Sequence, residues 1–360
     1  MRKIAIILQI SLLLFFTFSF SNAEEKIRIG VSTVLTGDAA TYGIDIKNVL
    51  QFANDKIANG KYELIFEDDR CTGKDSVAIA HRFVNVLNLK YVIGFACSST
   101  VLSTANIYEK AGVLTMITVA SAAEIANAGD YIFRTWPSDD KAALKLYEEA
   151  ASKFKKIGII SEETDYAQAF LNSFLSANND KKIEIINDNY LPETNDFRTL
   201  ILKMKNENVD ALFINSQSEA SFLNVLQQVK SVAWEVQILS AYWSGTSAVL
   251  GKAAGLVENN IFVDLPSPEE ALTEEGKKLF AEFKDKYGGL KSVDLIFGTA
   301  FEAFRALHMA IESGQETRKF LYQQKFNGVF GNWNFDENGE IKGLNFLMKE
   351  IKDGKPTRIS

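Results

Sequence analysis

The chain has 360 residues, 47% of them apolar, with a formal charge of −7. An acidic balance without a long Lys/Arg run argues against nucleic acid, and equally against docking on anionic lipid, since both need clustered positive charge. The length exceeds the usual single-domain size and points to two compact units.

The first element is a secretion signal. Arg2 and Lys3 precede a nearly unbroken apolar run from Ile4 to Phe20, and Ser21-Asn22-Ala23 supplies small residues where a signal peptidase cuts. Cleavage is expected after Ala23, with no cysteine at the cut to carry a lipid. The mature protein is then soluble and periplasmic, 337 residues long, and its charge moves from −7 to −9 as Arg2 and Lys3 leave.

Short β-rich runs then alternate with amphipathic stretches. Strands are predicted at Ile27–Val34, Tyr62–Glu67, Tyr91–Phe95 and Leu114–Val119, and helices at Asp45–Ala58, Ser76–Leu89 and Thr100–Ala111. After Trp136-Pro137 the rhythm restarts: helices Lys141–Phe154, Tyr166–Ala177, Phe197–Asn206 and Glu219–Val232 alternate with strands Lys156–Ile160, Ile183–Asn187, Ala211–Asn215 and Val236–Leu239. This alternation means βα crossovers and doubly wound parallel sheets, an α/β class. A strand at Ile261–Leu265 follows a turn region, two long helices follow at Glu274–Tyr287 and Leu295–Glu312, and Asp336-Glu337-Asn338-Gly339 marks a hairpin within Gly331–Met348.

Helices after a completed second unit imply a chain that crosses between lobes more than once, near Trp136–Ser138, Val263–Pro268 and Asn327–Asn332. Residues 24–137 and 266–329 are assigned to lobe I, and 138–265 and 330–360 to lobe II. Several crossings make a hinge about which each core moves intact.

Cys71 and Cys97 are the only cysteines. In an oxidising compartment the pair reads as one disulfide, with two buried thiols as the alternative. His81 and His308, the only histidines, lie inside helical patterns without convergent partners. No dinucleotide, phosphate-loop, nucleophile-elbow or zinc-protease motif is present. No metal, cofactor or catalytic role is expected.

Ligands of open α/β sheets sit at the carboxyl ends of strands. Several such ends are polar: Cys97-Ser98-Ser99-Thr100, Ala120-Ser121-Ala122, Thr41-Tyr42-Gly43, Thr164-Asp165-Tyr166 and Ser240-Ala241-Tyr242-Trp243-Ser244. Hydroxyls and free N–H groups at a helix start suit a carboxylate, though they also cap their own helix.

IRIGVSTVLTGDAATYG (27–43), FEDDRC (66–71), GFACSST (94–100), TMITVASAAEI (115–125) and YIFRTWPSDD (131–140) together resemble the leucine/isoleucine/valine-binding proteins of ABC importers, with the type I periplasmic binding fold. The cysteine spacing also fits that family's disulfide. The resemblance implies a receptor that captures an amino acid or related small carboxylate between two lobes and presents it, as a monomer, to a membrane ABC permease. It also implies that Ser98, helped by Ser99, holds the carboxylate, and that Ala120 and Ser121 meet the ammonium and the ligand. Tyr42 lies beside the side-chain pocket, and Tyr166 closes from the second lobe. The chain departs from the pattern where an acidic residue is expected for the ammonium, with Ala241-Tyr242-Trp243 there, and where Gln217-Ser218-Glu219 lacks an aromatic. Glu219, or the rings of Tyr242 and Trp243, would replace the charge; alternatively the ligand has no ammonium. A sensor of amides or aromatic acids, coupled to signalling, is the rival reading.

Overall fold

The computed structural model describes residues 26–359; the signal segment lies outside them. The first lobe runs β1 (Arg28–Thr33), α1 (Ala40–Ala58), β2 (Glu63–Asp68), α2 (Gly73–His81), β3 (Tyr91–Gly94), α3 (Ser98–Ala111), β4 (Leu114–Ile117) and β5 (Ile132–Arg134). Its strands form a parallel sheet in the order β2-β1-β3-β4-β5. The apolar residues of α1 at helical spacing (Ile46, Val49, Leu50 and Ala53) are buried on it.

The second lobe runs α4 (Asp139–Lys153), β6 (Lys156–Glu162), α5 (Asp165–Ala177), β7 (Glu184–Tyr190), α6 (Arg198–Asn206), β8 (Ala211–Asn215), α7 (Glu219–Ser231), β9 (Gln237–Ser240), α8 (Ser247–Val257) and β10 (Ile261–Asp264). The chain then passes through α9 (Pro268–Ala271) and returns to the first lobe as α10 (Glu274–Tyr287), α11 (Ile296–Glu312) and α12 (Thr317–Gln323). Phe52 of α1 meets Phe283, Phe297 and Phe301, which seats α10 and α11 on the first lobe. The expected α/β architecture of two doubly wound sheets is present.

The tail departs from expectation. Strands β11 (Lys325–Gly328), β12 (Gly331–Phe335) and β13 (Ile341–Lys342) form their own antiparallel sheet, and only β14 (Leu347–Lys352) and β15 (Lys355–Arg358) add to the second lobe, antiparallel, next to β10. The small sheet belongs with the first lobe. Glu302 of α11 accepts from Trp333 Nε1 at 2.6 Å and from the Val329 amide at 2.8 Å, and Phe335 packs on Phe133. The last crossing therefore falls between Lys342 and Leu347, not at 329–330, because the buried Glu302 and Phe133 anchor the hairpin before the chain leaves.

Other differences are local. The predicted helix Ser76–Leu89 stops being regular after His81 and passes through one wide turn, Arg82–Val86, closed by Leu87 N to Arg82 O at 3.0 Å. The turn region before Ile261 is a helix, α8, irregular at Ala253 and carrying Gly251 and Gly255, which lower its helical signal. Strand β5 is three residues long and shows no period.

Candidate ligand-binding cleft

The carboxyl ends of β3 and β4 are tied together before either reaches the cleft. Gly94 has φ +123°, and a side chain there would drive its Cβ to 2.4 Å from the Ser32 carbonyl. The chain then turns through Phe95 at φ +65°, whose amide donates to that carbonyl at 2.7 Å. Thr118 donates through both its amide and Oγ1 to the Gly94 carbonyl at 2.8 Å. Ala96 and Cys97 are thereby set beside Val119 and Ser121.

Cys97 is bonded to Cys71, with the two Cα atoms 5.5 Å apart. The bridge fixes the start of α3 against the loop after β2.

A cavity of about 40 Å³ lies between the lobes. Lobe I contributes Ala39, Tyr42, Ala96, Cys97, Val119, Ser121 and Val293, the crossing contributes Trp136, and lobe II contributes Tyr166, Gln217, Tyr242 and Trp243. Its aromatic side chains pack edge to face. Trp243 lies 6.2 Å from Tyr42 and 6.1 Å from Tyr166, and Tyr242 lies 5.8 Å from Trp136, centroid to centroid. Outside this chamber a wider cleft of about 600 Å³ opens, sharing Ala39 and Gln217 with it.

Behind the rings sit two buried carboxylates. Asp139, the first residue of α4, accepts Tyr242 Oη at 2.5 Å and Ser121 Oγ at 2.9 Å, and its amide donates to the Ser121 carbonyl at 3.0 Å. Burial pushes its carboxyl up to about 7 despite those two hydrogen bonds and the charge of Arg134. Glu219 accepts Tyr42 Oη across the cleft at 3.3 Å, and burial likewise raises its carboxyl above the ordinary range. Tyr166 Oη is buried without a hydrogen-bond partner among the described residues, and burial, with the charge of Asp139, raises its phenol strongly.

Of the residues proposed from sequence, the cavity brings together Tyr42, Ser121, Tyr166, Tyr242 and Trp243. Ser99 and Ser218 face the outer cleft instead, where Ser99 Oγ donates to the Cys71 carbonyl and Ser218 caps α7 by accepting the Ser221 amide. Three other residues have partners or positions of their own. Ser98 Oγ is engaged by the Ala122 amide at 3.1 Å, so it ties two loops as well as standing at the start of α3. The Ala120 carbonyl receives Arg134 Nη1 at 3.4 Å, and Ala120 lies outside the lining of the chamber. Glu219 stands behind Tyr42 and does not line the chamber.

Sequence reasoning missed Trp136, Asp139 and Gln217. The signal available was position: a segment that crosses between lobes must pass the mouth of the cleft, and Trp136-Pro137-Ser138-Asp139 is such a segment.

A family model described as a periplasmic binding protein matches residues 26–355. The leucine-, isoleucine-, valine-, threonine- and alanine-binding protein of Pseudomonas aeruginosa is 26% identical, with 95% of this chain and 94% of that protein covered. The Leu/Ile/Val-binding protein of Escherichia coli is 25% identical, covering 91% of this chain and 92% of that one. Among solved structures, a leucine binding protein from Thermotoga maritima shares the fold at a TM-score of 0.84 and 19% identity, over 93% of this chain and 98% of that chain. A solute binding protein from R. palustris in complex with benzoate does so at 0.83 and 13%, over 93% and 96%. With the two-lobed fold and a chamber at the strand ends, the family match places the chain: it belongs to the periplasmic binding protein family.

Proposed function

We propose that the protein captures an amino acid or related small carboxylate in the chamber between its lobes and delivers it, as a monomer, to a membrane ABC permease. Export follows cleavage after Ala23. The observation that carries this reading is the chamber itself, built by side chains from both lobes and joined across the gap by Tyr42 and Glu219. A ligand that touches both walls favours the closed state by contacts the open state lacks. The carboxylate sits toward the N-terminus of α3, where the amides after Cys97 and the hydroxyl of Ser98 favour negative charge. The names of the sequence relatives, which bind branched-chain and small amino acids, support the same solute class.

The test is a thermal-shift panel of amino acids and simple carboxylates, followed by calorimetry on whatever registers. A ligand at a hundred times its dissociation constant adds about 2.7 kcal/mol to stability. A panel in which no carboxylate shifts the transition, while neutral amides or sugars do, sinks the reading.

A further inference from the structure

Asp139 opens α4 next to the crossing at Trp136-Pro137-Ser138, and it is buried. Three side chains of the chamber converge on it. Trp136 Nε1 donates to Tyr242 Oη at 3.3 Å, Tyr242 Oη donates to one oxygen of the carboxylate at 2.5 Å, and Ser121 Oγ donates to the other at 2.9 Å. The Asp139 amide donates to the Ser121 carbonyl at 3.0 Å, so Ser121 is held by backbone and side chain alike. Trp136, Tyr242 and Ser121 line the chamber; Asp139 stands behind them.

The direction of these bonds decides what the chamber offers. An ionised carboxylate only accepts, so each hydroxyl that touches it gives up its single hydrogen. What Tyr242 and Ser121 keep for a solute is oxygen lone pairs. Tyr166 is the opposite case, for its Oη has no partner among the described residues and its hydrogen is uncommitted. Two hydroxyls that accept and one that donates match the ammonium and the carboxylate of one small molecule.

The electrostatics agree. Arg134 acts on Asp139 through its charge, yet its hydrogen bonds go to Glu340 and to the Ala120 and Ala122 carbonyls. The side chains that bond Asp139 are hydroxyls. A hydroxyl that donates to a carboxylate becomes a stronger acceptor in turn, so the buried charge reaches the chamber through Tyr242 and Ser121. Glu219 bonds only one lining hydroxyl, that of Tyr42, at the longer distance of 3.3 Å.

We propose that Asp139 is the positioning residue for the solute's ammonium group: by taking the hydrogens of Tyr242 and Ser121 it turns both oxygens into acceptors. This rests on the small-carboxylate reading above and deepens it, selecting an amino acid over an acid without an amine.

Asp139→Asn keeps the shape and changes the polarity. The carboxamide accepts from one hydroxyl and donates to the other, whose hydrogen is then turned toward the solute. Calorimetry at pH 8, above the value of about 7 to which burial pushes the carboxyl, compares leucine, valine, threonine and alanine, each with the same acid lacking its amine, read by competition where binding is weak. In the wild type at least one amino acid should bind tenfold or more tighter than its des-amino partner. Asp139→Asn should weaken that amino acid at least tenfold, the scale of a hydrogen bond to a charged group, and leave the des-amino acid within about twofold. A residue that merely braces the loops would weaken both alike. Tyr242→Phe and Ser121→Ala, which each remove one oxygen, should show the same split, so the test stands even where the Asn variant does not fold. Equal losses for the two partners, or an amino acid indifferent to all three substitutions, overturn the inference and leave the receptor reading standing. Des-amino acids that bind the wild type as tightly as the amino acids do the same. Silence from all eight probes removes both readings together.

Discussion

Tyr42 and Glu219 stand 177 positions apart and meet across the cleft, the phenol of the first lobe donating to the carboxylate of the second at 3.3 Å. The bond exists only when the lobes are together. Tyr42→Phe leaves Glu219 buried without its donor in the closed state, while the open state can hydrate it. A hydrogen bond to a charged group is worth about 1.5–3 kcal/mol, and the long distance puts this one at the lower end. The variant should bind its ligand roughly tenfold more weakly, with solution scattering showing a larger open fraction. Unchanged affinity and unchanged scattering would mean that closure does not use this contact.

Ser98 has two duties that a single substitution separates. Its hydroxyl oxygen accepts the Ala122 amide, and the same residue opens α3 beside the chamber. Ser98→Ala orphans a buried N–H, at about 1–3 kcal/mol. Under the proposed function it also removes a hydrogen bond to the ligand carboxylate, so affinity should fall by one to two orders of magnitude. If denaturation shows the stability loss while calorimetry shows native affinity, Ser98 is a strut and the carboxylate is held by the helix amides alone.

Asp139 gives the protein a pH signature. Its carboxyl lies near 3.8 in an unpaired chain and about 7 when folded. Between those values the folded protein holds a proton that the unfolded chain has released. The folded state is therefore favoured by this group at low pH and loses that advantage as pH climbs to about 7, above which the full burial penalty is felt. Asp139→Asn removes that dependence, so its melting temperature should vary less between pH 5 and pH 8 than the wild type's. An equal or steeper slope in calorimetric scans would show that the carboxyl does not titrate in that window.

Much of the fold was legible because its code is local. The alternation of β-rich runs with amphipathic stretches located nearly every element of the second lobe to within a few residues, and the apolar face of α1 is the one its spacing announces. The misses have physical causes. The three residues of β5 are too few to show a period, and α8 hides behind two glycines. The placement of β11–β13 is decided by Glu302 and Phe133, partners remote in sequence. In the site, Tyr42, Tyr166, Tyr242 and Trp243 were visible as aromatics at strand ends. Asp139 was not, because an acidic residue in the first turn of a helix reads as ordinary macrodipole compensation. Its burial arises only when Tyr242 from another element covers it.

The Cys71–Cys97 bridge closes a loop spanning 26 positions. In the chain-entropy model that stabilises the fold by about 3.5 kcal/mol. The Cys71→Ser/Cys97→Ser protein should lose about that much in chemical denaturation. It should also bind more weakly, because Cys97 lines the chamber and Cys71 accepts from Ser99. A double variant of native stability would show that the flanking contacts alone hold this corner.

Arg134 is the one arginine among the large fully buried side chains, and its guanidinium reaches both oxygens of Glu340 through Nε at 2.9 and 3.0 Å, with Nη1 on the Ala122 carbonyl at 2.8 Å. One group thus pins the β12–β13 hairpin to the end of β5 and steadies the loop that carries Ser121. Removing one member of a buried pair leaves the other charge unpaired, a loss of about 3–5 kcal/mol, whereas replacing both by apolar groups of similar size is often neutral. Arg134→Met should be severely destabilised. Arg134→Met combined with Glu340→Leu should recover most of the stability, yet still bind ligand less well, because the Ala122 carbonyl has lost its donor and the loop its anchor. If the double variant is no more stable than the single one, the hydrogen bond to Ala122, and not the ion pair, is what the fold depends on there. If it recovers both stability and affinity, the pair is a packing element without influence on the site.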